Sequence, residues 1–195
     1  DELGRRFEIS FNTYKPFACG IVIHPTIDAA IQLRGQGVKA AEVERVELRV
    51  HPLVLELTGK KEPQDGLQGK FSVYHGFAAG LVAGRAGEPE YDDAFVRRED
   101  VVALRRKVVA TVDPSIAEDA ADVTVVLAGG RRAHVRVDHA VGSLERPLSD
   151  AQLAAKFRSL ADPVIGQEKA QAAIGACWKL AEAGNVHDLV RSARP

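Results

Sequence analysis

Between Val123 and Val137 the apolar residues fall at every second position on both sides of a glycine pair. Val123, Val125 and Leu127 lead to Gly129-Gly130, and Ala133, Val135 and Val137 lead away. A period of two broken by two residues free to take positive φ predicts a β-hairpin with a two-residue turn. His134 and Arg136 then fall on the face opposite Val135, in solvent. A second alternation, Val46, Leu48 and Val50 against Glu47 and Arg49, predicts a half-buried strand ended by Pro52.

Helical signals fill the gaps between these strands. Gly59 to Gly69 reads as a polar loop, followed by a helix from Ser72, as N-cap, to Val82, with Gly84 past its end. After a loop over Gly84 to Asp93, the charged stretch Arg97 to Arg106 predicts a short helix running into a strand at Val108 to Val112, which Asp113-Pro114 stops. Further on, Ser149-Asp150-Ala151-Gln152 has capping-box spacing, with Leu148 and Leu153 at staple positions. That helix carries Phe157 and Leu160 on one face and is expected to break at Asp162-Pro163. A second helix, Gln167 to Ala183, places Trp178 as a packing anchor beside Ile174, Cys177 and Ala181, and Gly184 closes it. The order implies an α+β fold: a mostly antiparallel sheet with packed helices over 7–141, then a helical C-terminal segment over 142–195.

The candidate site lies in the stretch from Thr13 to Ala30. Pro25 and Thr26 signal a helix start, Ile27, Ala30 and Ile31 give it a helical period, and Gly35 and Gly37 end it. The free N–H groups of such a first turn favour an anion. Lys15 adds a full positive charge, and His24 adds a group able to exchange a proton near neutral pH. Cys19 beside Lys15 is either a thiolate-favouring neighbour or a small buried thiol.

Composition removes several alternatives. Lys and Arg number 26 against 27 for Asp and Glu, so no global field points to nucleic acid or to an anionic membrane. No apolar run approaches the about 18 residues that span a bilayer, and the expected location is the cytoplasm. Two cysteines give no disulfide framework, and six histidines without HxH or HxxxH spacing lead us to expect no metal and no other cofactor.

The Lys15-Pro16-Phe17 segment, the Cys19-Gly20 run, His24 and the Ile27-Asp28-Ala29 helix start resemble the C-terminal domain of the MmgE/PrpD family, which includes 2-methylcitrate dehydratase and cis-aconitate decarboxylase. Three further segments fit in order: Lys70-Phe71-Ser72-Val73-Tyr74-His75-Gly76-Phe77-Ala78, then Asp138-His139-Ala140-Val141-Gly142-Ser143 with Arg146-Pro147-Leu148-Ser149, then Leu153-Ala154-Ala155-Lys156-Phe157. Family members are longer and begin with an all-helical domain that supplies part of the active site. The resemblance, together with the absence of methionine, makes this sequence the expected C-terminal part of such a protein, with that N-terminal helical domain as a partner and a homodimer as the assembly.

What the resemblance implies is lyase chemistry: removal of water or CO2 from a di- or tricarboxylate. It makes Lys15 the carboxylate clamp with a possible acid role, and His24, His75 and Tyr74 the proton-transfer candidates. Cys19 and Ser72 would join Lys15 in binding. His75 stands where many members have a tyrosine, with Tyr74 beside it, so the local donor is the imidazole, the phenol or neither. The same clamps would serve an epimerase of an acidic substrate, and a lid or dimerisation module without chemistry would share the fold.

Overall fold

A computed structural model describes residues 2–194 of the chain. Its contacts divide them into a unit ending at Pro147 and a unit beginning at Leu148. In the first, four strands, β1 (Val43–Val50), β2 (Val108–Val112), β3 (Ala121–Leu127) and β4 (Arg132–Val137), form one sheet in the order β2-β1-β3-β4. The pairs β1–β3 and β3–β4 are antiparallel, but β1 and β2 run parallel. The sheet is therefore mixed, a correction to the mostly antiparallel expectation. Parallel neighbours need a long crossover, and the chain supplies one in five helical pieces: α2 (Pro52–Thr58), α3 (Gly66–Gly69), α4 (Val73–Ala83), α5 (Asp93–Val96) and α6 (Glu99–Arg105).

Three of those pieces, α2, α3 and α5, were not predicted. Pro52 ends β1 but also occupies the first turn of α2, where the His51 Nδ1 accepts from the Leu53 N–H at 3.2 Å. Within the expected polar loop, Asp65 caps α3 by accepting from the Gln68 N–H at 2.8 Å. The hairpin turn also differs. The Leu127 N–H bonds to the Arg131 carbonyl, so three residues, Ala128 to Gly130, make the turn, with both glycines at positive φ.

Val46, Leu48, Val50, Val123, Val125, Val135 and Val137 face inward and are buried. On the outer face His134 reaches Asp122 at 3.1 Å and Arg132 reaches Glu47 at 2.8 Å. A helix α1 (His24–Gly35) and α4 lie over the inner face, packed against each other. Gly76 meets Ile23 and Ile27, Gly80 meets Ile27 and Ala30, and Gly84 meets Arg34, so the two helices run in the same direction. A Cβ at Gly80 would stand 3.0 Å from both the Ala30 Cβ and the Ile27 carbonyl oxygen. Only glycine allows the two backbones to approach this closely.

Both helices end cleanly. Gly37, at positive φ, lets its own N–H reach the Arg34 carbonyl and the Val38 N–H reach the Leu33 carbonyl, closing α1 in a Schellman turn. Arg34 donates to the Leu81 and Val82 carbonyls at 3.0 and 2.9 Å, placing a cation on the C-terminal end of α4.

The second unit consists of α7 (Asp150–Ile165), α8 (Gln167–Trp178) and α9 (His187–Ser192). Ser149 and Gln152 form the predicted capping box. Pro163 does not break α7: it removes one amide bond near the end, and the Gly166 N–H still closes on the Asp162 carbonyl. Helix α8 stops at Trp178, whose ring is 58% exposed rather than an anchor, while the small residues Ala170 and Ala173 are buried.

Replacing Gly80 by Val forces side-chain atoms into the α1 backbone. Overpacking of this kind costs about 1–3 kcal/mol, and the urea midpoint is expected to fall accordingly. An unchanged midpoint would show that the two helices have room to part.

Candidate functional site

The segments leading into α1 and α4 meet. The Gly20 N–H donates to the Lys70 carbonyl at 3.1 Å, and the Lys15 ammonium donates to the Cys19 carbonyl at 3.3 Å. Lys15 is exposed and Cys19 is buried. Lys70, one step before the α4 cap region, is partly buried and pairs with Glu88 at 2.7 Å. Both lysines lie near enough to the Cys19 thiol to favour its ionisation, as does the Tyr91 hydroxyl. Burial outweighs them and pushes the thiol up to about 12. A thiol with that pKa stays protonated at neutral pH and is no nucleophile.

Tyr91 is buried on the far side of Cys19. Each group influences the other's ionisation, yet the hydroxyl makes no well-aligned hydrogen bond among the described residues. Its ring meets the edge of His75, with centroids 5.3 Å apart. His75 is fully buried, and its Nε2 lies 2.8 Å from the Glu90 carbonyl oxygen. A carbonyl can only accept, so Nε2 carries the proton and Nδ1 is left as a bare acceptor, with no hydrogen-bond partner among the described residues. Burial, assisted by the nearby Arg105 charge, lowers the His75 pKa to about 4 against the pull of the Glu90 carbonyl. The ring is therefore neutral through the physiological range.

The turn that supplies this carbonyl is itself fixed. The buried Glu90 carboxylate accepts from the Gly87 N–H at 2.9 Å and from Arg85 at 2.8 Å.

The other sequence candidates are spread more widely. The Ser72 hydroxyl accepts from the His75 N–H at 3.1 Å and donates to the Lys60 carbonyl, so it serves as the N-cap of α4. Tyr74 is buried in the hydrophobic core, which raises its pKa. His24 is buried as the first residue of α1, edge-on to Phe17 at 5.2 Å. A 3-10 turn, Ile21–Ile23, precedes it, and the first residues of α1 are buried, so that helix start is not open to a free anion within this unit. Lys15, Cys19, Lys70, Tyr91 and His75 form one continuous cluster, whereas Tyr74 belongs to the hydrophobic core.

Two residues that the sequence offered only as parts of longer motifs hold this arrangement. The buried Asp28 accepts from Arg146 at 2.7 Å and from the Val141 N–H at 3.2 Å, which fastens the 138–146 loop to α1. In that loop Gly142, at φ +90°, lies so close to the chain that a Cβ would be 2.4 Å from the Tyr14 carbonyl and 2.8 Å from the Pro16 ring. The backbone on either side of Lys15 is seated on a glycine. The loop and the lysine segment are two of the motifs on which the resemblance rests.

The model of the MmgE/PrpD C-terminal domain matches residues 17–180. The chain belongs to the MmgE/PrpD family. It is similar to the 2-methylcitrate dehydratase of Salmonella typhimurium, with 26% identity over 151 residues that cover 72% of this chain and 31% of the relative. A 2-methylcitrate dehydratase of Escherichia coli strain K12 is 24% identical over 151 residues with the same coverage. This MmgE/PrpD chain thus spans about a third of the length of the curated relatives it matches. Among its described residues no helix is long and apolar enough to cross a membrane.

Two measurements check the roles given to Ser72 and His75. Ser72→Ala removes the helix cap and is expected to cost about 1 kcal/mol of stability; a loss below a few tenths would contradict the cap. For His75, the unfolded chain takes up a proton below its ordinary pKa of 6.5, whereas the folded chain does so only near 4. The folded form is therefore penalised as pH falls through that window, by roughly 3 kcal/mol at its lower end. His75→Gln should lose this component of acid destabilisation, seen as a smaller drop in urea midpoint between neutral pH and the foot of the window. An identical drop in both proteins would mean that His75 titrates normally.

Proposed function

We propose that this chain is the carboxylate-holding part of a dehydratase-type lyase acting on a hydroxylated di- or tricarboxylate of the 2-methylcitrate kind. Family membership and the dehydratases to which the chain is similar support the reaction class. The observation that carries the reading is that Lys15 and Lys70 both lie near the Cys19 thiol, where the segments leading into two parallel helices meet; Lys70 would exchange Glu88 for the substrate carboxylate. Two ammonium groups there would hold a carboxylate in the geometry that elimination needs.

Elimination of water takes a proton from the carbon beside a carboxylate and loses hydroxide from the neighbouring carbon, with a second proton completing the water. Lys15 and Lys70 would bind the carboxylate and stabilise the negative charge that builds on it as the proton leaves. His75 would be the base, because it is neutral and its tautomer leaves Nδ1 to accept; with its pKa lowered to about 4 it is a weak base until its burial is relieved. Its burial behind Tyr91 and Phe95 requires that cover to shift when substrate binds. His24 and Tyr74 are reserve proton-transfer groups. The acid that protonates the leaving hydroxide would come from Lys15 or from the N-terminal helical domain expected of the whole protein, which in this reading works as a cytoplasmic homodimer.

A thermal-shift titration with 2-methylcitrate, citrate and cis-aconitate tests the clamp. A ligand at about 100 times its dissociation constant adds about 2.7 kcal/mol, a shift of several degrees for a chain of this size. The shift is expected in the wild type and lost in Lys15→Ala with the ligand-free midpoint unchanged. Equal shifts in both proteins would remove Lys15 from the site. The absence of a shift for this chain and for a version joined to the upstream domain would remove the carboxylate reading altogether.

A further inference from the structure

We propose that Asp119, His139 and Glu145 form a surface site for a divalent metal ion of the zinc class, fastening the loop on which the Lys15 segment is seated. The His139 Nδ1 lies 2.7 Å from an Asp119 carboxylate oxygen and 3.9 Å from a Glu145 oxygen, and the three ligand atoms all fall within 4.8 Å of one another. A zinc ion bound at about 2.1 Å from each donor holds them about 3.0–3.6 Å apart. Side-chain movements of about an ångström convert the present spacing into that one. One imidazole and two carboxylates with open positions beside them suit zinc, cobalt or manganese. Calcium and magnesium prefer sites made wholly of oxygen.

The backbone beneath the three side chains is already fixed. The Ala140 N–H donates to the Asp119 carbonyl at 3.3 Å, tying the two ligand-bearing segments together next to the donors. Arg146 donates to the His139 carbonyl at 2.8 Å and to Asp28 at 2.7 Å, so this neighbouring cation is directed at Asp28. The Gly142 N–H closes the turn on the Arg146 carbonyl at 2.7 Å. An ion here would join the segment before β3 to the 138–146 loop, and Gly142 would carry that restraint to Tyr14 and Pro16. Such a site departs from the expectation of no metal drawn from histidine spacing. One imidazole suffices when the carboxylates come from another segment, and no HxH or HxxxH pattern marks such a set. The site is separate from the lysine cluster, and its test does not depend on the function proposed above.

Zinc chloride titrated by calorimetry into the chelator-treated chain is the test, with thermal unfolding and visible cobalt(II) absorption as parallel readouts. One equivalent of zinc is expected to bind and raise the midpoint, while magnesium and calcium leave it unmoved. His139→Ala and Asp119→Asn should each weaken zinc at least tenfold and abolish the cobalt absorption, with midpoints in EDTA matching the wild type. If either of these fails to fold, Glu145→Gln, which breaks only a 3.9 Å contact, is read instead. No saturable zinc binding by the wild type, or undiminished binding in the folded variants, overturns the proposal.

Discussion

Close approach of α1 and α4 through Gly76 and Gly80 is the constraint on which the rest of the first unit depends. Each mid-helix glycine costs about 1 kcal/mol relative to alanine, and what the two make possible is a parallel pair of helices in backbone contact. Parallel helices align their dipoles, so two positive ends lie together where the chain enters them and two negative ends lie together where it leaves. The molecule answers each end differently. Arg34 covers the negative end of α4, while the entering segments bring Lys15 and Lys70 together. The first residues of both helices are buried, so the lysines stand on the entering segments and not on open helix ends.

Behind the lysines the chemistry is quiet. Cys19 is held as a neutral thiol and His75 as a neutral imidazole, in both cases because burial outweighs the charges nearby. Fixing the His75 tautomer takes a further layer: Arg85 and the Gly87 N–H hold Glu90, and Glu90 presents its carbonyl to the ring. A single imidazole thus depends on the turn Glu88–Tyr91, which also lends Tyr91 to the core and Glu88 to Lys70.

Much of this could be read from the sequence, and the gaps have physical reasons. The strands declared themselves through alternation because one face is dry and the other is laced with Arg, Asp and His. The parallel pairing of β1 and β2 did not, since strand direction depends on the length and path of a crossover and not on any residue within the strand. Pro52 and Pro163 misled in opposite ways: one opened a helix as well as ending a strand, and the other sat close enough to a terminus to be tolerated. Lys15, Cys19, Ser72 and His75 stood out as candidates through motif spacing. Nothing in the sequence distinguished Ser72 as a cap from Ser72 as a ligand, because the same hydroxyl can do either. Tyr91 lay in what read as a loop and had no signal at all, and Asp28 carried one only as part of a helix-start motif.

The seat of Lys15 on Gly142 separates two properties that usually vary together. Stability of the first unit resides in the helix pair and the sheet, whereas the height and tilt of the lysine are set by a loop lying more than a hundred positions along the chain. A change in that loop would shift the ammonium while leaving the backbone contact of α1 with α4 in place. Within this architecture the position of the Lys15 ammonium is a quantity that can drift or be engineered while the helix pair and the sheet stay unchanged.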